Sequence, residues 1–185
     1  MRREMQEILP RLYLGPCSVA KSLPTLTQNQ ITHIVCLRSV DEAFFMRPYF
    51  PEQLKYLLIE VSDDTLQNLI KQFPTVKSFI DQAIAEGGRV LIHCESGISR
   101  APAFVVAYVM ESMGLSYQIA FNYVQSKRFC INPNDNFKNQ LKAYESIYRA
   151  RCAPIQRADE QGIRRPRDTS PSSDDKKRAK VYVDL

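Results

Sequence analysis

Residues 88–104 read GRVLIHCESGISRAPAF, and the fold turns on how that stretch divides. A Gly-Gly break opens it, and Val90, Leu91 and Ile92 then form an unbroken apolar run, as a strand buried on both faces requires. The run ends at His93. A short segment containing Gly97 follows, and a helical pattern begins near Ser99 or Arg100, with Pro102 tolerated in its first turn. A buried strand that feeds a loop and then a helix brings loop N–H groups and a helix N-terminus to one point. That is the geometry of an anion nest.

The same alternation recurs on either side. ILPRLYLGP (8–16), ending in Gly-Pro, reads as an opening strand, and ITHIVCLR (31–38) and LKYLLIEV (54–61) as short buried strands. Across 66–85, Leu66, Leu69, Ile70, Phe73, Val76, Phe79, Ile80, Ala83 and Ile84 recur at spacings of three and four, which predicts one helix. Further helices are expected at about 100–113, 117–128 and 136–150. The last has Asn134 or Asp135 as N-cap and Phe137, Leu141, Tyr144 and Ile147 or Tyr148 as its apolar stripe. Strands alternating with helices, then a run of helices, predict an α/β domain with a central sheet covered on both sides. His33, inside a strand, reads as a packed core or edge residue.

Composition sets the bounds. A chain of 185 residues, 44% hydrophobic and 24% charged, suits one soluble domain, expected over 1–153. No apolar run approaches the roughly 18–20 residues of a membrane helix. The start, MRREMQEILP, has no apolar stretch of signal-peptide length, so a reducing compartment is expected. Five scattered cysteines without a CxxC pair argue against a disulfide framework or a zinc site, and no metal is expected. Of the net charge of +5, a good part lies in residues 151–185, with nine Lys/Arg against six Asp/Glu. Residues 154–185 are polar and rich in Ser, Pro and charge, and are expected to form a disordered basic tail. Arg164 and Arg165, a ten-residue spacer, then Lys176, Lys177, Arg178 and Lys180 resemble a bipartite nuclear-localisation signal. Such a signal implies an import receptor as partner and a protein of nucleus and cytoplasm; the alternative is a solvated basic tail with no address. Phosphorylation of Ser170, Ser172 or Ser173 in the spacer would weaken the signal by adding negative charge. Nucleic acid is a poor partner, because the tail lacks interleaved aromatics.

Cys94 stands at the entrance to the nest, where the helix N-terminus, the loop amides and Arg100 all favour a thiolate, the nucleophilic form of the side chain. Arg100 follows six positions later with a planar fork suited to two oxygens of a phosphoryl group. The amides of Glu95, Ser96, Gly97, Ile98 and Ser99, with Arg100, make up the expected phosphate-binding set. A buried structural cysteine in a tight turn is the plainer alternative.

HCESGISR matches the His-Cys-x5-Arg signature of the protein tyrosine phosphatases, and the compact chain resembles their dual-specificity branch over residues 8 to about 150. MRREMQEILP, ITHIVCLR, RFCINPN and AYESIY resemble the phosphoserine/threonine/tyrosine-interacting subfamily, best known as pseudophosphatases with glycine at the cysteine position. This chain departs from them in having Cys94. The resemblance implies a mostly parallel twisted sheet of about five strands flanked by helices, and dephosphorylation of phosphoproteins through a phosphocysteine on Cys94, without a cofactor. It implies Asp63 as the general acid, with Asp64 as fallback and helix capping as the ordinary use of either. It implies His93 as a loop-ordering residue that supports the thiolate, and Ser99 as loop support. A chain too short for the deep pocket of the tyrosine-specific enzymes is expected to accept phosphoserine and phosphothreonine as well as phosphotyrosine. Active members usually carry Ser or Thr directly after the arginine; here Ala101 stands there, so slow hydrolysis of the intermediate is expected. The alternative is a non-catalytic phosphoprotein-binding regulator.

Overall fold

A computed structural model describes residues 3–152. Five strands, β1 (Gln6–Leu9), β2 (Leu12–Pro16), β3 (His33–Arg38), β4 (Lys55–Glu60) and β5 (Val90–Cys94), form one sheet in the order β1-β2-β5-β3-β4. β1 runs antiparallel to β2 and every other pairing is parallel. β5 lies between β2 and β3 with all five residues buried, which is why its sequence shows no polar alternation.

Both faces of the sheet are covered. On one face α1 (Cys17–Ala20) and α2 (Leu23–Gln28) set Val19, Ala20 and Leu26 against Tyr13, Ile34 and Leu91. The alternate residues Leu12, Leu14, Val35, Leu37, Val90 and Ile92 belong to the larger core. That core is shared with α3 (Phe73–Ala85), α4 (Arg100–Met113), α5 (Tyr117–Lys127) and α6 (Asp135–Cys152). α4 is its axis, buried at every position from Arg100 to Met110, so the helix that follows the anion nest is fixed by packing along three turns. His33 is a core residue, edge-on to Phe79.

The opening strand is two strands. Arg11 has φ of 71°, and the chain reverses there, with the Arg11 N–H donating to Glu7 Oε1 at 2.9 Å. The alternating pattern of 8–16 conceals this reversal because both arms bury apolar residues. The helix expected over 66–85 begins only at Phe73, with Pro74 in its first turn; continued backwards, the proline ring would clash with the carbonyl of Ile70. Residues 62–72 instead form a loop on which Leu66 is exposed and Leu69 buried, its N–H held by Gln140 Oε1 at 2.7 Å.

Cys17, Cys36, Cys94 and Cys130 are free thiols. Among the described residues no cluster of His, Cys, Asp and Glu could hold a metal, and no helix is long and apolar enough to cross a membrane. The basic tail and its two Lys/Arg clusters lie outside the described residues.

Candidate active site

The loop from Cys94 to Arg100 is a ring of peptide groups with its carbonyls held outward. Glu95 O accepts the Cys17 N–H at 3.0 Å and Ile98 O accepts the Asn132 N–H at 2.7 Å. Between them the Arg128 guanidinium donates from Nε to Gly97 O at 3.0 Å and from Nη2 to Ser96 O at 3.4 Å. Four consecutive carbonyls are thus tied from behind, which turns the following amides to the opposite side. Among the described residues no acceptor takes the N–H groups of Ser96, Ile98, Ser99 or Arg100. Gly97 makes the turn possible. Its φ is 69°, and a Cβ there would lie 2.6 Å from Gly15 O.

Cys94 is only 2% exposed and its Sγ accepts the Gly97 N–H at 3.3 Å, so the sulfur sits against the ring of amides. His93 is buried beside it, and its Nδ1–H donates to Cys94 O at 3.4 Å. Burial pushes the His93 imidazole down to about 4; the bond to Cys94 O opposes the shift and the Arg100 charge adds to it. The ring is therefore neutral at pH 7. It supports the loop by its hydrogen bond, not by contributing positive charge. A prediction follows for stability. The unfolded chain takes a proton on this histidine below about pH 6.5, whereas the native chain refuses it until about pH 4. The contribution is complete above pH 6.5 and is lost as pH falls towards 4, on the order of 3 kcal/mol in all. Denaturant titrations from pH 7 to 4 should show this loss in wild type and a flatter profile in His93→Gln; parallel profiles would contradict it.

Arg100 is buried, and Glu42 holds both of its terminal nitrogens: Nη2 donates to Glu42 Oε1 at 2.6 Å and Nη1 to Oε2. Nη1 also reaches Val61 O at 3.3 Å. Burial works against the arginine's charge, but the hydrogen bonds to Glu42, with Cys94, the Glu42 charge and Asp63 adding to them, more than offset it. Burial likewise raises the Glu42 carboxyl, yet hydrogen bonds from Arg100 and from the Ser39 N–H, at 2.7 Å, hold it below the usual range. Arg38 fixes the loop that carries Glu42 by donating to Ala43 O and Met46 O. One donor of Arg100 is left over, since Nε is buried with no hydrogen-bond partner among the described residues. Glu42 therefore clamps the end of the fork and leaves the Nε edge for a second oxyanion.

The two aspartates divide their work. Asp64 Oδ1 accepts the N–H groups of Leu66 and Gln67, both at 2.8 Å, and so closes a turn. Asp63 faces the loop: its Oδ1 accepts the Ser99 hydroxyl at 2.7 Å and Asn134 Nδ2 at 2.8 Å. Asn134 is the cap of α6, its Oδ1 taking the Phe137 N–H at 2.9 Å. The Ser99 hydroxyl also accepts the Asn134 N–H at 3.2 Å, so it is occupied on both sides and does not cap α4. Ala101 is fully buried in the apolar cluster that includes Cys94. The Glu95 and Ser96 side chains are exposed.

The structure thus gathers Cys94, Arg100, Asp63, His93, Ser99 and the amides of 95–99 around one loop. Three residues of the arrangement are not recognisable from sequence: Glu42, Arg128 and the side-chain amide of Asn134. Arg128 lies in RFCINPN, a stretch whose resemblance is plain but whose role needs the third dimension. It is 1% exposed and reaches back to Glu4 O at 2.8 Å and to Gln6 Oε1. Replacing it by methionine removes the donor to the carbonyls of Ser96 and Gly97, each loss costing about 1–3 kcal/mol. Arg128→Met should lower the denaturation midpoint by the equivalent of about 3 kcal/mol or more, and Arg128→Lys should recover only part. An unchanged midpoint would contradict this account of the loop.

The family model described as dual specificity phosphatase, catalytic domain, matches residues 12–147. The chain belongs to the dual-specificity phosphatase family. Within it, the serine/threonine/tyrosine-interacting protein of Mus musculus is 51% identical over 153 residues, 82% of this chain and 69% of its own length. The crystal structure of the human tyrosine phosphatase-like serine/threonine/tyrosine-interacting protein superimposes with a TM-score of 0.78 at 52% identity, covering 80% of this chain and 99% of that one. Protein phosphatase Slingshot of Drosophila melanogaster is 36% identical over 142 residues, 76% of this chain but 13% of its own length. One group of dual-specificity relatives is thus named for interaction and another as phosphatases.

Proposed function

We propose that this chain dephosphorylates phosphoproteins, on tyrosine and also on serine and threonine, through a phosphocysteine on Cys94. The observation that carries the reading is that the loop N–H groups of Ser96, Ile98, Ser99 and Arg100 and the buried Arg100 Nε have no acceptor among the described residues, while the Gly97 N–H of the same loop meets the Cys94 sulfur. In the first step the thiolate attacks phosphorus, the bond to the ester oxygen breaks, and Asp63 gives its proton to the leaving oxygen. The loop amides and the Arg100 fork hold the three equatorial oxygens. In the second step water attacks phosphorus and gives its proton to Asp63. The P–S bond breaks, releasing phosphate and the thiolate.

The second step is the slow one. Position 101 has no hydroxyl to meet the departing thiolate, and the neighbouring Ser99 hydroxyl is committed to Asp63 and Asn134. Rapid mixing with an aryl phosphate should give a burst of phenol, about one per chain, before a slower steady state. Ala101→Ser should raise the steady rate about tenfold, order of magnitude, while leaving the burst in place. Single-phase turnover, unchanged in Ala101→Ser, would sink the two-rate account.

A second reading is favoured by the same two observations and by the relatives named for interaction. A loop that accepts phosphate and releases it slowly can serve as a phosphoprotein-binding regulator. The two Lys/Arg clusters at 164–165 and 176–180 would take such a protein to the nucleus as well as the cytoplasm, through an import receptor.

A further inference from the structure

The large apolar side chains of the described residues that face solvent are not scattered. The four most exposed are Leu66 at 93%, Phe44 at 79%, Phe129 at 78% and Val40 at 69%, and all lie on the three loops that hold the phosphate ring. Val40 and Phe44 flank Glu42, whose carboxylate clamps Arg100. The Leu66 N–H is fixed by Asp64, next to the Asp63 that takes the Ser99 hydroxyl. Phe129 follows Arg128, which holds the carbonyls of Ser96 and Gly97. Each apolar residue is therefore tied to the loop through a hydrogen bond one or a few residues away. Exposure of this kind, on loops all bonded to one site, marks a contact surface more than it marks ordinary surface scatter.

The charge on the same loops narrows the partner. Between 39–47, 62–72 and 127–135, and on the phosphate loop at 95–99, the exposed charges are Asp41, Asp63, Asp64, Glu95 and Asp135 against Arg47, Lys71 and Lys127. This acidic rim repels acidic flanks and an anionic bilayer alike. We infer that Val40, Phe44, Leu66 and Phe129 form a specificity collar that selects phosphopeptides with apolar, non-acidic residues beside the phosphorylated one. The inference rests on the phosphatase reading of the loop and names its substrate class.

The test uses the full-length Cys94→Ser protein, which cannot turn the probe over. Three labelled phosphotyrosine peptides, identical except for Leu and Phe, Ser and Asn, or Asp and Glu flanks, are titrated by fluorescence anisotropy, with vanadate as competitor. The apolar peptide should bind about tenfold tighter than the polar one, and the acidic peptide weakest. Phe44→Ser, Leu66→Ser and Phe129→Ser, made at exposed positions that carry no core packing, should bring the apolar and polar peptides to equal affinity. Equal binding of the three peptides by the unmodified collar, or a preference that survives the serine variants, overturns the collar alone. No vanadate-sensitive binding of any peptide overturns the phosphate reading beneath it. Phosphatidylcholine vesicles with a phosphoinositide are co-sedimented in parallel; binding to them that needs the same residues, without a peptide preference, would assign the collar to lipid and overturn the peptide inference.

Discussion

Cys94→Ser should cut hydrolysis of an aryl phosphate by at least about 10³-fold, to the background of buffer, with the protein still folded. The substitution exchanges sulfur for a smaller oxygen in a buried position, so packing changes little. What changes is the nucleophile. A serine hydroxyl stays protonated at neutral pH unless a base takes its proton, and no base is hydrogen-bonded to the Cys94 side chain: Sγ meets the Gly97 N–H, and the adjacent His93 ring is bonded to the Cys94 carbonyl. The Gly97 N–H that meets Sγ at 3.3 Å can serve a thiolate but cannot activate an alcohol. Wild-type rates in Cys94→Ser would mean that another group attacks, and the loop would then be only a phosphate holder.

Arg100→Lys should cost about 10³-fold in kcat, the lower range for a guanidinium that stabilises a transferring phosphoryl group. Charge is preserved, so the loss reports geometry. The guanidinium uses its end for both oxygens of Glu42 and Val61 O and still has Nε on its side edge. A lysine ammonium is a single point that can satisfy the half-buried Glu42 or reach the phosphoryl oxygens, and it lacks the fork to do both. Because Glu42 keeps a cation beside it, the thermal midpoint should move far less than the rate. A rate within tenfold of wild type would show that the Nε edge is not used.

The fold was legible in sequence where periodicity was clean. The apolar run of β5 and the helix of 100–113 follow from local pattern, α4 spans the expected residues, and of the two caps the pattern offered, Asn134 and Asp135, the structure uses Asn134. Pattern failed where two physical causes give the same spacing. Leu66, Leu69 and Ile70 continue the helical rhythm of α3, but Pro74 and the Asp64 turn break the chain before it. Alternation in 8–16 survives a reversal at Arg11 because both strands bury apolar residues. Of the site, the residues on one short loop were readable because they are contiguous. Glu42, Arg128 and Asn134 act on that loop from 58, 31 and 35 residues away along the chain, by hydrogen bonds no local spacing encodes. Asp63 is intermediate: the family resemblance put it ahead of Asp64, and the bonds of Asp63 to Ser99 and Asn134, with Asp64 closing a turn, needed the third dimension.

The central claim is that phosphate becomes covalently attached to Cys94 within this ring of amides. Rapid acid quench of the wild-type chain during turnover of an aryl phosphate, followed by peptide mass analysis, tests it directly. The account predicts one phosphoryl group on the peptide that contains Cys94, near one per chain during the slow phase, and none in Cys94→Ser. Steady hydrolysis that depends on the protein but leaves Cys94 unmodified at every quench time would contradict it.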